Sequence, residues 1–276
     1  MIITLIHNCH SYNPLIKNAV AVNLSAIESL GIDYTYILWN DNGDKKIEEL
    51  LPKENNHNFF YYYSKKNYGL GNCTGGWIGA YLEGMVTGKY CHTFGHDDFF
   101  TPLFWKQSIA MLEQNDKLGA AFSNCYEVEE DFSLIKIPLP FNYQEFYTRP
   151  SIVFNAVFSP DNLGNFHSSN NFAYHPGVVH RSDLYDKIGV PDAKSFDGSL
   201  DFEYWVRMIF NGYGFFYIPI PTWFYTKSQY SLSKIIGGDD RRNIYNPRIV
   251  KKYEELYKRN GLKINTEPML TEDKFW

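Results

Sequence analysis

The chain has 276 residues, of which 44% are hydrophobic and 21% charged, a balance that suits a large globular protein and argues against disorder. Its 26 basic and 31 acidic residues leave a formal charge of −5, which argues against a nucleic-acid partner because no basic field can hold a phosphate backbone. The cysteines lack zinc-site spacing and no leader or apolar run of about 20 residues occurs, so the sequence predicts a cytoplasmic protein and leaves peripheral membrane contact open.

The N-terminal residues predict a strand followed by a helix. Residues 1–6 (MIITLI) form an apolar run of strand length, and Asn13 and Pro14 are typical of an N-cap and a first helical residue. Apolar residues then recur at helical spacing until Gly31, a typical stop signal; they are Ile16, Val20, Leu24 and Ile27. This pattern is one β-α unit.

The same alternation continues along the next part of the chain. Further strands are predicted at 34–38 (YTYIL), 58–64 (NFFYYYS) and 89–94 (KYCHTF). Helices are predicted after Asp44, over a glycine-rich segment that ends near Thr87, and from Pro102 onward. Alternation of this kind predicts a mostly parallel sheet with helices on both faces, in which ligands bind beyond the carboxyl ends of the strands.

Two adjacent carboxylates, Asp97 and Asp98, stand just beyond the strand predicted at 89–94. Neighbouring like charges cost free energy unless a cation or hydrogen-bond donors offset them, and Mg²⁺ or Mn²⁺ takes carboxylate oxygens readily. The pair therefore favours a metal-diphosphate site. The two residues alone leave open that Asp97 caps the following helix and that Asp98 is solvated.

Several segments, in a consistent order, resemble the family 2 glycosyltransferases. They are the N-terminal β-α unit, WNDNG (39–43), NYGLGN (67–72), GKYCHTFGHDDFFTP (88–102), HPGVVHRSDLYDKIG (175–189) and LDFEYWVRM (200–208). The resemblance covers residues 1 to about 235. It implies an α/β protein with the GT-A fold, a Rossmann-like, mostly parallel central sheet flanked by helices, followed by a short helical C-terminal tail.

The resemblance also implies a division of the chain and an activity. Residues 1–235 would be the glycosyltransferase domain, with 1–110 as the nucleotide-sugar-binding half, 111–235 as the acceptor half and 236–276 as the tail. The implied enzyme is a metal-dependent, inverting hexosyltransferase of the kind used in polysaccharide biosynthesis. It would move a sugar from a nucleotide-diphosphate sugar, with a UDP-sugar favoured, to a hydroxyl of a glycan or glycoconjugate acceptor.

The family pattern assigns donor-binding roles to the residues at the strand ends. Asp97 would lie near the ribose and, with Asp98, belong to the site of a Mn²⁺ or Mg²⁺ ion that bridges the two phosphates. Asp41 matches the residue that recognises the base. This chain departs from the family's common Asp-any-Asp-Asp pattern, because Gly95 stands where the first aspartate often lies.

Four further residues complete the expected donor site. By the resemblance, Asn67 and Gly69 shape a loop beside the donor, and Gly177 lies under the donor sugar. Lys227 is the best candidate for offsetting the charge of the leaving nucleotide diphosphate, since no histidine follows His180. The residues alone leave open that 67–69 is a plain turn and that Lys227 is an ordinary solvated lysine.

Asp201 falls on the family's catalytic aspartate. An inverting transferase needs a carboxylate that takes the proton of the acceptor hydroxyl as that oxygen attacks the anomeric carbon. Glu203 is the alternative base and could equally orient the acceptor, and Leu200 replaces the usual preceding glutamate. The residues alone leave open that Asp201 only caps an amphipathic helix.

Two other classes of protein fit part of the pattern. A nucleotidyltransferase would also use a carboxylate pair and a metal ion, but it would not need the helix of 200–208. A non-catalytic carbohydrate-binding protein would explain the aromatic content of 18% without needing the aspartates. The long segment 127–170 is expected to shape the acceptor site.

Overall fold

The computed structural model describes residues 1–53, 56–69, 75–137, 173–196, 199–229 and 238–260. The strands are β1 Ile3–Cys9, β2 Tyr34–Asn40, β3 Phe59–Tyr63, β4 Tyr90–Phe94, β5 Asp98–Phe100, β6 Leu118–Val128, β7 Leu134–Lys136, β8 Val178–Arg181 and β9 Gly214–Thr226. The helices are α1 Leu15–Glu28, α2 Gly75–Leu82, α3 Pro102–Gln114, α4 Leu184–Ile188, α5 Ala193–Phe196, α6 Leu200–Phe210 and α7 Gly238–Asn260. Short 3-10 turns cover Lys45–Leu50 and His175–Gly177.

The strands form one curled sheet in the order β3-β2-β1-β4-β8-β6-β9-β5, with β7 paired to β6. The half made of β3, β2, β1 and β4 is wholly parallel, and β6 pairs with β9 in parallel as well. Antiparallel pairing enters only where β8, β5 and β7 join. This arrangement confirms the predicted α/β fold with a mostly parallel sheet flanked by helices.

Local sequence signals account for the first half of the fold. All seven residues of β1 are buried, as expected of a strand with helices on both faces. Helix α1 is followed by Gly31 with φ of 62°, a left-handed conformation that suits glycine. The Asp44 side chain caps the 3-10 turn by accepting a hydrogen bond from the Lys46 N–H across 2.9 Å.

The carboxyl ends of β1, β2 and β4 meet at one edge of the sheet. In the parallel register Cys9 lies opposite Asn40, and His7 lies opposite Phe94. Asp41 directly follows β2, and Asp97 comes shortly after β4. The topology therefore places these carboxylates at the edge where ligands bind in α/β proteins.

The strand β5 was not expected from the sequence, which predicted only a helix after the aspartate pair. Asp98 begins this three-residue strand and lies opposite Tyr225 of β9. Asn23 of α1 holds the strand at both ends, because its Nδ2 donates to the Asp98 carbonyl across 3.0 Å and its Oδ1 accepts from the Phe100 N–H across 2.9 Å. The backbone that carries Asp98 is therefore fixed to α1 by two hydrogen bonds.

Helix α2 is shorter than the sequence indicated. It ends at Leu82 and not near Thr87, and Gly84 follows with φ of 72°. A helix cannot continue through a left-handed residue, so the chain leaves α2 there and enters β4 six residues later.

The C-terminal helix α7 packs on α6. Its Ile249, Val250 and Tyr253 side chains are buried in the same apolar core as Trp205 of α6. No helix in the described ranges is both long and apolar enough to cross a bilayer.

Candidate active site

Asp41 is held in one orientation by three hydrogen-bond donors. Its Oδ1 accepts from the Trp39 Nε1–H and the Tyr68 N–H, each across 3.1 Å, and its Oδ2 accepts from the Gly69 N–H across 2.8 Å. The residue is 2% exposed. The predicted base-recognising residue and the predicted donor loop, which begins at Asn67, are therefore in direct contact.

The glycines at the start of α2 explain how this helix approaches the sheet edge. A Cβ at Gly75 would lie 2.0 Å from Asp41 Oδ2, and one at Gly76 would lie 2.2 Å from Asn8 Oδ1. The Gly76 N–H donates to Asn8 Oδ1 across 2.7 Å, and Asn8 Nδ2 donates to the Phe94 carbonyl across 3.1 Å. Sequence analysis missed Asn8, which links β1, β4 and α2. Its place in β1, just beyond the apolar run 1–6, was the available signal.

Asp97 and Asp98 are both buried and converge beside Gly95. A Cβ at Gly95 would lie 3.0 Å from Asp98 Oδ2 and 3.4 Å from Asp97 Oδ1. The Gly95 N–H donates to Asp98 Oδ2 across 2.8 Å. Asp98 Oδ1 and Asp97 Oδ2 are buried without a hydrogen-bond partner among the described residues.

Burial of two adjacent acids disfavours their charged forms. Burial, and then the neighbouring Asp97 charge, raise the pKa of Asp98 well above its ordinary value, against the Gly95 N–H, which lowers it. Burial also raises the pKa of Asp97, and the nearby His96 opposes that shift. His96 Nε2 lies 3.8 Å from Asp97 Oδ2, and burial outweighs this contact in raising the pKa of Asp97.

The carboxylate oxygens of Asp97 and Asp98 suit a hard divalent cation that binds together with a diphosphate. Two carboxylates with unpartnered oxygens are the protein share that Mg²⁺ or Mn²⁺ typically takes when phosphates and water supply the other ligands. No group of three or more His, Cys, Asp or Glu that could hold a metal occurs among the residues described.

Gly177 lies against the indole of Trp223. A Cβ at this position would lie 2.7 Å from Trp223 Nε1, so only glycine fits without a shift of the ring. The Trp223 Nε1–H donates to the Ser123 carbonyl across 3.3 Å, which ties the ring to β6. Trp223 also stacks on Phe100 of β5 at 5.5 Å. The 3-10 turn that carries Gly177 is thereby packed beside the strand of the aspartate pair.

Lys227 lies just beyond the end of β9 and pairs with a buried carboxylate. Its Nζ is 3.4 Å from Glu127 Oε2 and 4.4 Å from the centre of the Tyr225 ring. The Lys227 side chain is 36% exposed, whereas that of Glu127 is 4% exposed. Tyr225 lies opposite Asp98 in the sheet, so Lys227 follows the strand that pairs with the strand of Asp98. Sequence analysis did not single out Glu127.

Asp201 and Glu203 occupy the first turn of α6 in different surroundings. Asp201 is partly exposed. Glu203 is fully buried, and its carboxylate accepts hydrogen bonds from Arg207, Lys252 and Tyr253. These contacts favour a structural role for Glu203 over a role at the acceptor.

Packing of Trp77 connects α6 with the edge where Asp41 lies. The Trp77 ring of α2 is 5.4 Å from Trp205 of α6 and stacks on His175 at 4.4 Å. His175 begins the turn that ends in Gly177. The helix of Asp201, the turn of Gly177 and the helix start beside Asp41 therefore share one packed cluster.

No protein-family model and no curated protein sequence matches this chain. Solved structures of S. aureus TarS residues 1–349 do match. The complex with UDP has a TM-score of 0.54 at 11% identity over 95% of this chain and 74% of that one. The complex with UDP-GlcNAc has a TM-score of 0.56 at 11% identity over 94% and 73%, and the protein alone 0.55 at 12% over 96% and 76%.

These similarities establish the fold. The chain is an α/β protein with a GT-A-like architecture, as the sheet order and the similar structures agree. The segment 127–170, expected to shape the acceptor site, lies largely outside the described residues.

Proposed function

We propose that this protein is a glycosyltransferase that uses a nucleotide-diphosphate sugar, with a uridine nucleotide as the favoured donor. The observation that carries the proposal is the pair of buried carboxylate oxygens, one from Asp97 and one from Asp98, that have no hydrogen-bond partner among the described residues at the carboxyl edge of the sheet. Asp41, which follows β2 at the same edge of the sheet, supports it. The TarS structures that share the fold were solved with UDP and with UDP-GlcNAc, which supports a donor of this class.

In this proposal the donor lies along the edge from Asp41 to Asp98. Asp41 binds the base, and the backbone of Asn67 to Gly69 lines the donor beside it. Asp97 and Asp98 would hold Mn²⁺ or Mg²⁺, which when bound offsets the negative charge of the diphosphate. Lys227 would add a positive charge near the leaving group, and Gly177 would lie under the transferred sugar.

Asp201 is the proposed general base of an inverting hexosyl transfer. Asp201, on the first turn of α6, is partly exposed and can reach an acceptor hydroxyl, whereas the Glu203 carboxylate is fully buried. The acceptor hydroxyl loses its proton to Asp201 as its oxygen bonds to the anomeric carbon and the bond to the nucleotide diphosphate breaks. The acceptor is a glycan or glycoconjugate.

Transfer assays with a panel of nucleotide sugars, Mn²⁺ and glycan acceptors test the proposal. Asp201→Asn should lower turnover by about two orders of magnitude or more while donor affinity changes little, because asparagine caps a helix about as well as aspartate but is not basic. Asp192→Asn is the matched control, since the Asp192 side chain caps α5 by accepting from the Ser195 N–H across 3.0 Å, a contact that asparagine can keep. Wild-type turnover in Asp201→Asn would contradict the assignment of the base.

The same assays separate the other classes of protein. Release of diphosphate from a nucleoside triphosphate and a sugar phosphate would identify a nucleotidyltransferase. Binding of glycans without any turnover of a nucleotide sugar would identify a carbohydrate-binding protein. Retention of configuration at the anomeric carbon, read by NMR, would contradict the inverting mechanism.

A further inference from the structure

The Glu203 carboxylate joins the catalytic helix of the proposed enzyme to the C-terminal helix. Glu203 Oε1 accepts from Arg207 Nε across 3.2 Å, from Lys252 Nζ across 3.0 Å and from the Tyr253 hydroxyl across 2.7 Å, and Oε2 accepts from Arg207 Nη2. Two of these donors lie on α7, about 50 residues away along the chain. The carboxylate is fully buried.

Arg207 extends this network to the segment that precedes α5. Its Nη1 donates to the Ile188 carbonyl across 3.0 Å and to the Val190 carbonyl across 2.9 Å. The guanidinium therefore fixes the end of α4 relative to α6. Because Arg207 and Glu203 lie one helical turn apart, the pair also stiffens the first half of α6.

Lys252 of α7 contacts both α5 and α6. Its Nζ lies 4.8 Å from the centre of the Phe196 ring, at the end of α5, and 3.0 Å from Glu203 in α6. Asp201 lies between these two contact points in the sequence. A single side chain of α7 thus contacts the helix that precedes Asp201 and the helix that carries it.

Asp201 and Glu203 point to different faces of α6. Two residues correspond to a rotation of about 200° around a helix, so a side chain fixed at 203 restrains the helix from the face away from Asp201. Burial, and then the Glu203 charge, raise the pKa of Tyr253 above its ordinary value, so that the hydroxyl stays protonated and donates. The restraint is therefore a set of directed hydrogen bonds to a buried carboxylate.

From these contacts we infer that Lys252 and Tyr253 are positioning residues, which set the place of Asp201 by holding Glu203 and Phe196. The inference rests on the proposed function. It assigns α7 a role in turnover beyond packing. By contacting Glu203 in α6 and Phe196 in α5, α7 keeps the first turn of α6 at a fixed distance from the acceptor hydroxyl. Errors of about 1 Å in such a distance lower rates by up to about a hundredfold.

The test uses Lys252→Met, Tyr253→Phe and the double variant in the full-length chain. Methionine and phenylalanine keep the apolar contacts and remove the charge and the hydroxyl. We expect turnover in the transfer reaction to fall about tenfold in the double variant, with unchanged nucleotide-sugar affinity by calorimetry. Lys251→Met is the matched control, because Lys251 is an exposed residue of the same helix.

A double-mutant cycle with Glu203→Gln distinguishes positioning from general stabilisation. If Lys252 acts through Glu203, adding Lys252→Met to Glu203→Gln lowers turnover by much less than it does in the wild-type protein. Turnover is expressed per donor-binding site, so that loss of folded protein does not count. Equal losses in both backgrounds, or wild-type turnover in the Lys252→Met, Tyr253→Phe double variant, would overturn the inference while leaving the proposed function intact. Absence of transfer by the wild-type protein with every donor and acceptor would overturn the proposed function and the inference with it.

Discussion

Asp41 accepts a hydrogen bond from the backbone N–H of Gly69 across 2.8 Å, so that the residue at the end of β2 and the loop beyond β3 are held as one unit. With the Tyr68 N–H, which also donates to Asp41, this contact orders the backbone of the donor loop before a ligand binds. A carboxylate with three N–H donors holds its loop more firmly than a neutral amide can, since hydrogen bonds to charged groups are about twice as strong.

Asp41→Asn should therefore weaken binding of UDP by about tenfold or more, since the amide loses charge and one acceptor oxygen. Calorimetry with UDP measures the effect. The control is Asp44→Asn, which keeps the cap of the 3-10 turn because asparagine caps as well as aspartate. Equal UDP affinity in Asp41→Asn and the wild-type protein would remove Asp41 from the base site.

Removal of metal should weaken nucleotide-sugar binding. We expect EDTA to lower the affinity of the wild-type protein by about tenfold or more, and Asp98→Asn to abolish most of the gain that Mn²⁺ provides. Without metal, Asp98→Asn should raise the melting temperature, because the substitution removes a buried acid with an unpartnered oxygen. Asp116→Asn, at an exposed aspartate, is the control. Tight UDP binding that EDTA does not affect would contradict the metal-site prediction.

Gly95→Asp should restore the family's common aspartate pattern at the expense of stability. The new Cβ would lie 3.0 Å from Asp98 Oδ2, and a third carboxylate would join two buried ones. We expect a lower melting temperature than in the wild-type protein without metal, and a larger increase on addition of Mn²⁺. Gly95→Asn serves as the neutral control, and the same response to Mn²⁺ in both variants would contradict the prediction.

His92 should make the protein sensitive to acid. Burial lowers the pKa of His92 to about 3. In the folded protein its Nδ1 accepts from the Trp105 Nε1–H across 3.0 Å, so the proton lies on Nε2 and is donated to the Pro176 carbonyl. A histidine in the unfolded chain has a pKa of about 6.5. As the pH falls from about 6.5 towards 3, the unfolded state therefore binds a proton at this residue and the folded state does not. The free energy of unfolding therefore decreases with falling pH in this window.

His92→Gln should reduce that loss of stability by about 1.4 kcal/mol per pH unit between pH 6 and 5, although the variant is less stable at pH 7. Urea unfolding at several pH values measures both effects. His57→Gln is the control, since His57 is exposed. An unchanged pH dependence in His92→Gln would show that the ring can be protonated in the folded protein.

Much of the fold could be predicted from the sequence because its signals are local. The periodicity of α1, the Asp44 cap, Pro102 at the start of α3 and the apolar strands depend on residues within about four positions of each other. The position of Asp97 and Asp98 after β4 followed from the same local reading, and their place at the ligand-binding edge followed from the alternation of strands and helices.

The tertiary structure decided the contacts that define the surroundings of these residues. Asn23 binds the backbone of β5 although it lies 75 residues away in the sequence. Lys227, beyond the end of β9, pairs with Glu127 of the neighbouring strand β6. Glu203 accepts hydrogen bonds from a helix about 50 residues further along the chain. No spacing in the sequence indicates such pairs, because they depend on strand order and helix packing. The sequence by itself determined the α/β elements and the candidate aspartates. Which carboxylates are buried, paired or left without a partner was decided only when distant segments packed together, because burial and hydrogen bonding depend on neighbours in space.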